Sequence, residues 1–253
     1  MHPVERFSAP HTILAGSALK DLLGPEYVEL LADSLAAVVP EFSRARFRRT
    51  ALRGLHELAL VGRAEHLAAA IASEMPAAFL AAAPLLVRSF GPPLSAESGN
   101  GLRPFFYYPH SCFIARHGVA DFAAGMAANY ELTRRFTAEF SVRPFLVAHR
   151  AAALRLLRRW TKDPSPHVRR LVSEGTRPRL PWASRLPEFQ ADPALAAPLL
   201  EALKDDPSLY VRRSVANHLG DVAKDHPQIA FARAAAWIEE AQSLDSPARA
   251  ARL

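Results

Sequence analysis

The chain has 253 residues, half of them apolar and 22% charged, which excludes the disordered and fibrous classes and is long enough to bury a core. Thirty-one Lys and Arg stand against 25 Asp and Glu, a formal charge of +6, and an excess of that sign favours polyanionic partners. The lone cysteine, Cys112, excludes a disulfide framework and any multi-thiolate metal site.

From the N-terminus, residues 1–6 lead into no uninterrupted apolar core with a small-residue cleavage site, so secretion is not expected. A helix is predicted over 19–39, where Leu22, Leu23, Leu30, Leu31, Leu35 and Val38 share a stripe interrupted at Gly24-Pro25. Leucine and alanine at three- and four-residue steps predict further helix over 44–61 and 63–71. The most apolar stretch, 64–87, is broken by Glu65, Glu74, Pro76 and Pro84 and cannot span a bilayer. Residues 91–104 are rich in Gly, Pro and Ser and predict an exposed connector. Tyr107 and Tyr108 are expected to pack rather than stack on bases. Alternating β-branched runs are nearly absent, and most prolines fall between periodic segments or at helix starts. The expectation is an all-α protein of the reduced, cytoplasmic type.

The charge divides along the chain. Residues 1–129 hold 11 Lys/Arg and 11 Asp/Glu, whereas 130–253 hold 20 and 14, so the whole excess lies in the second half. Attraction to phosphates accounts for such segregation; a merely basic helical surface accounts for it equally.

An internal repeat occupies that half. Asp163-Pro-Ser-Pro-His-Val-Arg-Arg170 matches Asp206-Pro-Ser-Leu-Tyr-Val-Arg-Arg213 at an offset of 43 residues, and a degraded third copy begins at Asp245-Ser-Pro. Helix pairs of that period predict an α-solenoid of HEAT-like repeats. Asp or Ser caps each helix, with Pro at its first turn. Val168, Leu171 and Val172, like Val211, Val215 and Leu219, form the buried stripe. Arg169, Arg170, Arg212 and Arg213, with Arg143 beginning the series, are predicted to stack into a basic rib. The register also aligns Glu174 with Asn217, and Arg213, Asn217 and Asp221 follow at four-residue steps. Acids on such a face are either salt-bridge partners or reactive groups, and spacing alone favours the former.

Glu174 opens the run Glu-Gly-Thr-Arg-Pro-Arg-Leu-Pro-Trp182. Gly175 is predicted to end the helix in a left-handed cap, presenting Arg177, Arg179 and Trp182 on a proline-held loop that extends through 176–193. Trp182 either stacks on a sugar or base or plugs the loop from inside. His149, His167, His218 and His226 lack metal-ligand spacing and are expected as caps or surface residues. Cys112 has no neighbour in sequence to activate it.

Segments 132–146, 166–182 and 210–227, with weaker likeness at 55–63 and 105–108, resemble the AlkC-type DNA alkylation repair glycosylases, HEAT-like repeat relatives of AlkD. The run 174–182 is specific to that group. The resemblance implies one HEAT-like domain over 1–253, which the charge count divides into a charge-neutral half (1–129) and a basic half (130–253) that would bind DNA and carry catalysis; the C-terminal immunoglobulin-like domain that some members add is not expected here. It implies hydrolysis of the N-glycosidic bond of cationic methylated bases, chiefly 3-methyladenine, in duplex DNA without turning the base out. Glu139, Glu174 and Asp221 would form the acidic cluster, with Trp182, Arg177 and Asn217 at the lesion or its sugar. Arg143, Arg169, Arg170, Arg179, Arg212 and Arg213 would hold phosphates. A cationic base already leaves well, so carboxylates serve the oxocarbenium-like sugar and the attacking water, and no metal or cofactor is required. The stop at 248–253, about where another inner helix should start, predicts an uncapped last repeat with reduced stability or weaker DNA grip. A non-catalytic DNA-binding or protein-interaction scaffold is the alternative.

Overall fold

The computed structural model describes residues 1–243; the third repeat copy expected at 245 and the chain end at 248–253 lie outside the described residues. Every regular element among the described residues is helical, as the periodicity predicts, and none of those helices is long and apolar enough to cross a membrane. The chain divides into two units, 1–142 and 143 onward.

The first unit contains α1 (Pro3–Arg6), α2 (Pro25–Ala36), α3 (Arg44–Leu52), α4 (Leu60–Ala72), α5 (Phe79–Arg88), α6 (Tyr108–His117) and α7 (Phe122–Thr133). The predicted break at Gly24-Pro25 separates a 3-10 turn, Leu19–Leu23, from α2, whose first position is Pro25. The helix expected over 44–61 is instead two. Gly54 takes a φ of +69° and stops α3, a conformation that costs little only without a Cβ. Phe7, Tyr27 and Phe106 meet edge to face with centroids 5.3–5.7 Å apart, a favoured aromatic geometry. Tyr107 and Tyr108 are buried, as expected of packing residues. Burial, helped by Glu65, pushes the Cys112 thiol up to about 12, so it stays protonated and unreactive.

The second unit contains α8 (Arg143–Ala148), α9 (Arg150–Trp160), α10 (Pro166–Gly175), α11 (Pro187–Ala191), α12 (Ala197–Leu203), α13 (Leu209–Ala223) and α14 (Pro227–Ser243). α9/α10 and α12/α13 are the two copies of the repeat: α10 packs on α13, α9 touches α12, and α14 covers the far side of α13. Their shared sequence folds into shared bonds. Asp163 Oδ1 accepts from the Ser165 amide and Asp206 Oδ1 from the Ser208 amide, each at 2.8 Å. Arg169 Nη1 then donates to the Asp163 carbonyl at 2.8 Å, and Arg212 Nη1 to the Asp206 carbonyl at 2.7 Å. Between copies, Arg169 grips Asp206 through Nε at 2.6 Å and Nη2 at 3.0 Å, a bidentate bridge that sets one repeat on the next.

Candidate active site

The last turn of α10 faces α13 across a seam that is polar where the repeat would make it apolar. Position 214, the counterpart of Leu171, is a serine, and α13 buries Ser214, His218 and Asp221 among its valines. Glu174 enters this seam and is only 4% exposed. Its Oε2 accepts from Ser214 Oγ at 2.6 Å, and its Oε1 from Arg177 Nη1 at 2.6 Å, with Arg170 Nη2 at 3.4 Å. Arg177 reaches further: its Nε donates to Asp221 Oδ2 at 2.8 Å, while Lys224 Nζ holds Asp221 Oδ1 at 3.0 Å. Burial works to raise the Asp221 carboxyl, but the Arg177 and Lys224 bonds outweigh it and hold it below the usual carboxylate range. One buried guanidinium thus ties together Glu174 and Asp221, the two expected cluster acids that lie in this unit.

The loop that supplies Arg177 is held from below. Arg143 is 1% exposed and donates to three loop carbonyls: Ser184 from Nε at 2.8 Å, and Arg177 and Gly175 from Nη1 at 2.8 and 3.2 Å. A side chain so enclosed is an anchor for the loop, which corrects its expected place on phosphate. Gly175 closes α10 without the expected left-handed turn, because Thr176 Oγ1 returns to the Val172 carbonyl at 2.7 Å and finishes the helix. The left-handed residue is Trp182, with φ +64° and 71% of its surface exposed, so it is no buried plug. A bulky side chain in that conformation is strained. The stretch 176–193, expected as loop, also includes α11 and a 3-10 turn, Pro193–Leu195.

Glu139 belongs to the first unit, between α7 and α8, where Thr137 Oγ1 donates to its Oε2 at 2.8 Å. Asn217 and Arg213 are exposed on α13. Of the predicted basic rib, Arg169 is bound to Asp206, and Arg170 lies by Glu174 with its guanidinium over the Tyr210 ring at 5.3 Å. Arg179 pairs with Asp225, its Nε at 2.7 Å, and Arg212 returns to its own repeat. The rib is therefore largely a set of structural braces. His167 and His218 are core residues, not surface ones; His218 Nδ1 sits 3.0 Å from the Ser173 carbonyl, and burial pushes its ring down to about 4. No group of His, Cys, Asp or Glu among the described residues is placed to hold a metal ion.

Sequence reasoning missed Ser214 and Lys224. Ser214 carried a signal, a hydroxyl where the offset of 43 expects leucine.

No family model matches the chain. Over 220 residues it is 34% identical to the uncharacterized protein YhaZ of Bacillus subtilis, an alignment covering 87% of this chain and 59% of that protein. The structure of the Pseudomonas fluorescens alkylpurine DNA glycosylase AlkC bound to DNA containing an abasic site analog is 35% identical and superposes with a TM-score of 0.79, over 94% of this chain and 63% of that one. The chain spans about three fifths of the length of these relatives. In both sequence and fold the chain is similar to the AlkC structure over nearly all of its own length.

Proposed function

We propose that this chain hydrolyses the N-glycosidic bond of cationic N-alkylated purines such as 3-methyladenine in duplex DNA, initiating base excision repair with the base left in the stack. The observation that carries the reading is the buried Glu174–Arg177–Asp221 bridge, whose arginine lies on the same loop as the exposed Trp182. The DNA in the AlkC structure supports it, since an abasic site is what glycosidic cleavage leaves behind.

In this reading the alkylated base departs as a neutral leaving group and needs no general acid. Positive charge then develops on the sugar, and the Glu174 carboxylate, held between Ser214 and Arg177, stabilises it without reorganising. Arg170, the longest of the Glu174 contacts at 3.4 Å, exchanges to a phosphate when DNA binds and frees one side of Oε1, which Arg177 still holds. Trp182 stacks on the deoxyribose or the lesion, and Arg177 and Asp221 position Glu174. Glu139 is proposed as the second carboxylate, acting on the attacking water, and Asn217 as a contact to the lesion strand.

The second reading is a DNA-binding chain without catalysis, and what favours it is that both Glu174 oxygens already hold donors. Incubating the chain with methylated duplex DNA and assaying the freed bases separates the two. The proposal expects 3-methyladenine in the soluble fraction, and also release of adducts too bulky for an enclosed base pocket. Binding of duplex with no base released overturns it, and failure on bulky adducts alone overturns the stacked-base part.

A further inference from the structure

The cations of the second unit fall into two groups. The repeat arginines Arg169, Arg170 and Arg212 are engaged, as above, and on α9 Arg150 pairs with Glu188. The other cations of α9 are not. Residues 140–162 contain six Lys or Arg and no Asp or Glu. α9 buries Ala153, Leu157 and Trp160 and turns Arg155, Arg158 and Arg159 to solvent, with exposed Lys162 just past its end. These four lie at steps of three, four and seven, on one stripe about 10 Å long at 1.5 Å per residue. Among the described residues none of their side chains makes an ion pair or a hydrogen bond. The helix C-terminus favours cations in its last turn, which accounts for Arg158 and Arg159 singly. It does not account for a like-charged stripe whose neighbouring acid in sequence, Asp163, is turned to the Ser165 amide, because such neighbours repel.

We propose that this face of α9 is a second phosphate-binding surface, which grips the backbone of duplex DNA outside the seam that holds Glu174. α9 and α12 form one row of the repeat, and α10 and α13 the other. Three of the four cations are arginines, whose planar forks suit phosphate oxygens. No large apolar side chain stands exposed among them, whereas a protein interface needs an apolar anchor at its centre. The proposal rests on duplex DNA being the partner of this chain.

The test is the salt dependence of binding to an undamaged duplex, for the wild-type chain and for Arg155→Ser/Arg158→Ser/Arg159→Ser. Each phosphate contact contributes about 0.9 to the slope of log K against log salt. The triple variant is expected to lose about 2–3 from that slope and more than tenfold in affinity at low salt, with its melting temperature and its single-turnover rate at saturating enzyme unchanged. Arg155→Lys/Arg158→Lys/Arg159→Lys is expected to keep the slope, which separates lost charge from lost fold. An unchanged slope in the serine variant, while wild-type binds duplex, overturns the proposal and leaves the glycosylase reading intact. Polyglutamate binding that the serine variant loses, with DNA binding unaffected by polyglutamate, assigns the face to an acidic protein segment and equally overturns it. A wild-type chain that binds no duplex at any salt overturns both readings together.

Discussion

Ser214 donates its hydroxyl to Glu174 Oε2 at 2.6 Å across 40 residues of sequence, and both groups are buried. The pair turns the α10–α13 contact from an apolar stripe into a polar seam. A carboxylate in such a place must have every oxygen satisfied. Ser214→Ala leaves Oε2 without its donor, so the expected loss of stability in urea denaturation is about 1.5–3 kcal/mol. A change below about 0.5 kcal/mol contradicts the bond.

Arg143 fixes the loop through three carbonyls. Removing its charge with Arg143→Met strips those acceptors of a buried donor, and the cost expected is about 3 kcal/mol or more. Limited proteolysis is expected to cut within 176–186 first, before the helices open. If Arg143 instead served phosphate, the variant would melt normally and lose only DNA affinity.

Trp182 sits in a left-handed conformation while exposed, an arrangement that stability alone does not reward. In Trp182→Gly, relief of backbone strain offsets the added freedom of the unfolded chain. Thermal unfolding is expected to change by less than about 1 kcal/mol, while excision falls more than tenfold. A large destabilisation with intact excision contradicts a substrate-facing role.

The buried histidines set a pH dependence. Burial pushes His218 down to about 4 and His110 down to about 3, against 6.5 for an ordinary histidine. Between those values the unfolded chain binds protons that the folded chain refuses, so stability is full above about pH 6.5 and falls as pH drops toward 4. Each ring contributes up to about 1.4 kcal/mol per pH unit. Denaturation midpoints from pH 7 to 5 are expected to show this slope, reduced by one proton in His218→Asn. A flat profile contradicts neutral, buried rings.

What was legible in the sequence follows from what repeats. The helices and the 43-residue register rest on local periodicity, and the paired Asp163 and Asp206 turns confirm them bond for bond. Arginine partners were not legible, because Arg169 and Asp206 meet across 37 residues and a charge in sequence does not name its counter-ion. The same limit applies to Glu174 and Asn217. They are equivalent in the repeat, yet the first is enclosed by α13 and the second is exposed. The left-handed turn was expected at Gly175 on conformational grounds and fell at Trp182, where the loop geometry held by Arg143 overrides residue preference.

Glu174 is proposed to be reactive and not merely a salt-bridge partner. This role is tested most directly by single-turnover release of 3-methyladenine from methylated duplex, for wild-type and Glu174→Gln, with duplex affinity measured on both. The amide keeps the size of the side chain and removes its charge. Release from Glu174→Gln is expected to slow by about 10²–10³ with affinity within about threefold. Equal release rates, or a loss of rate matched by an equal loss of binding, contradict it.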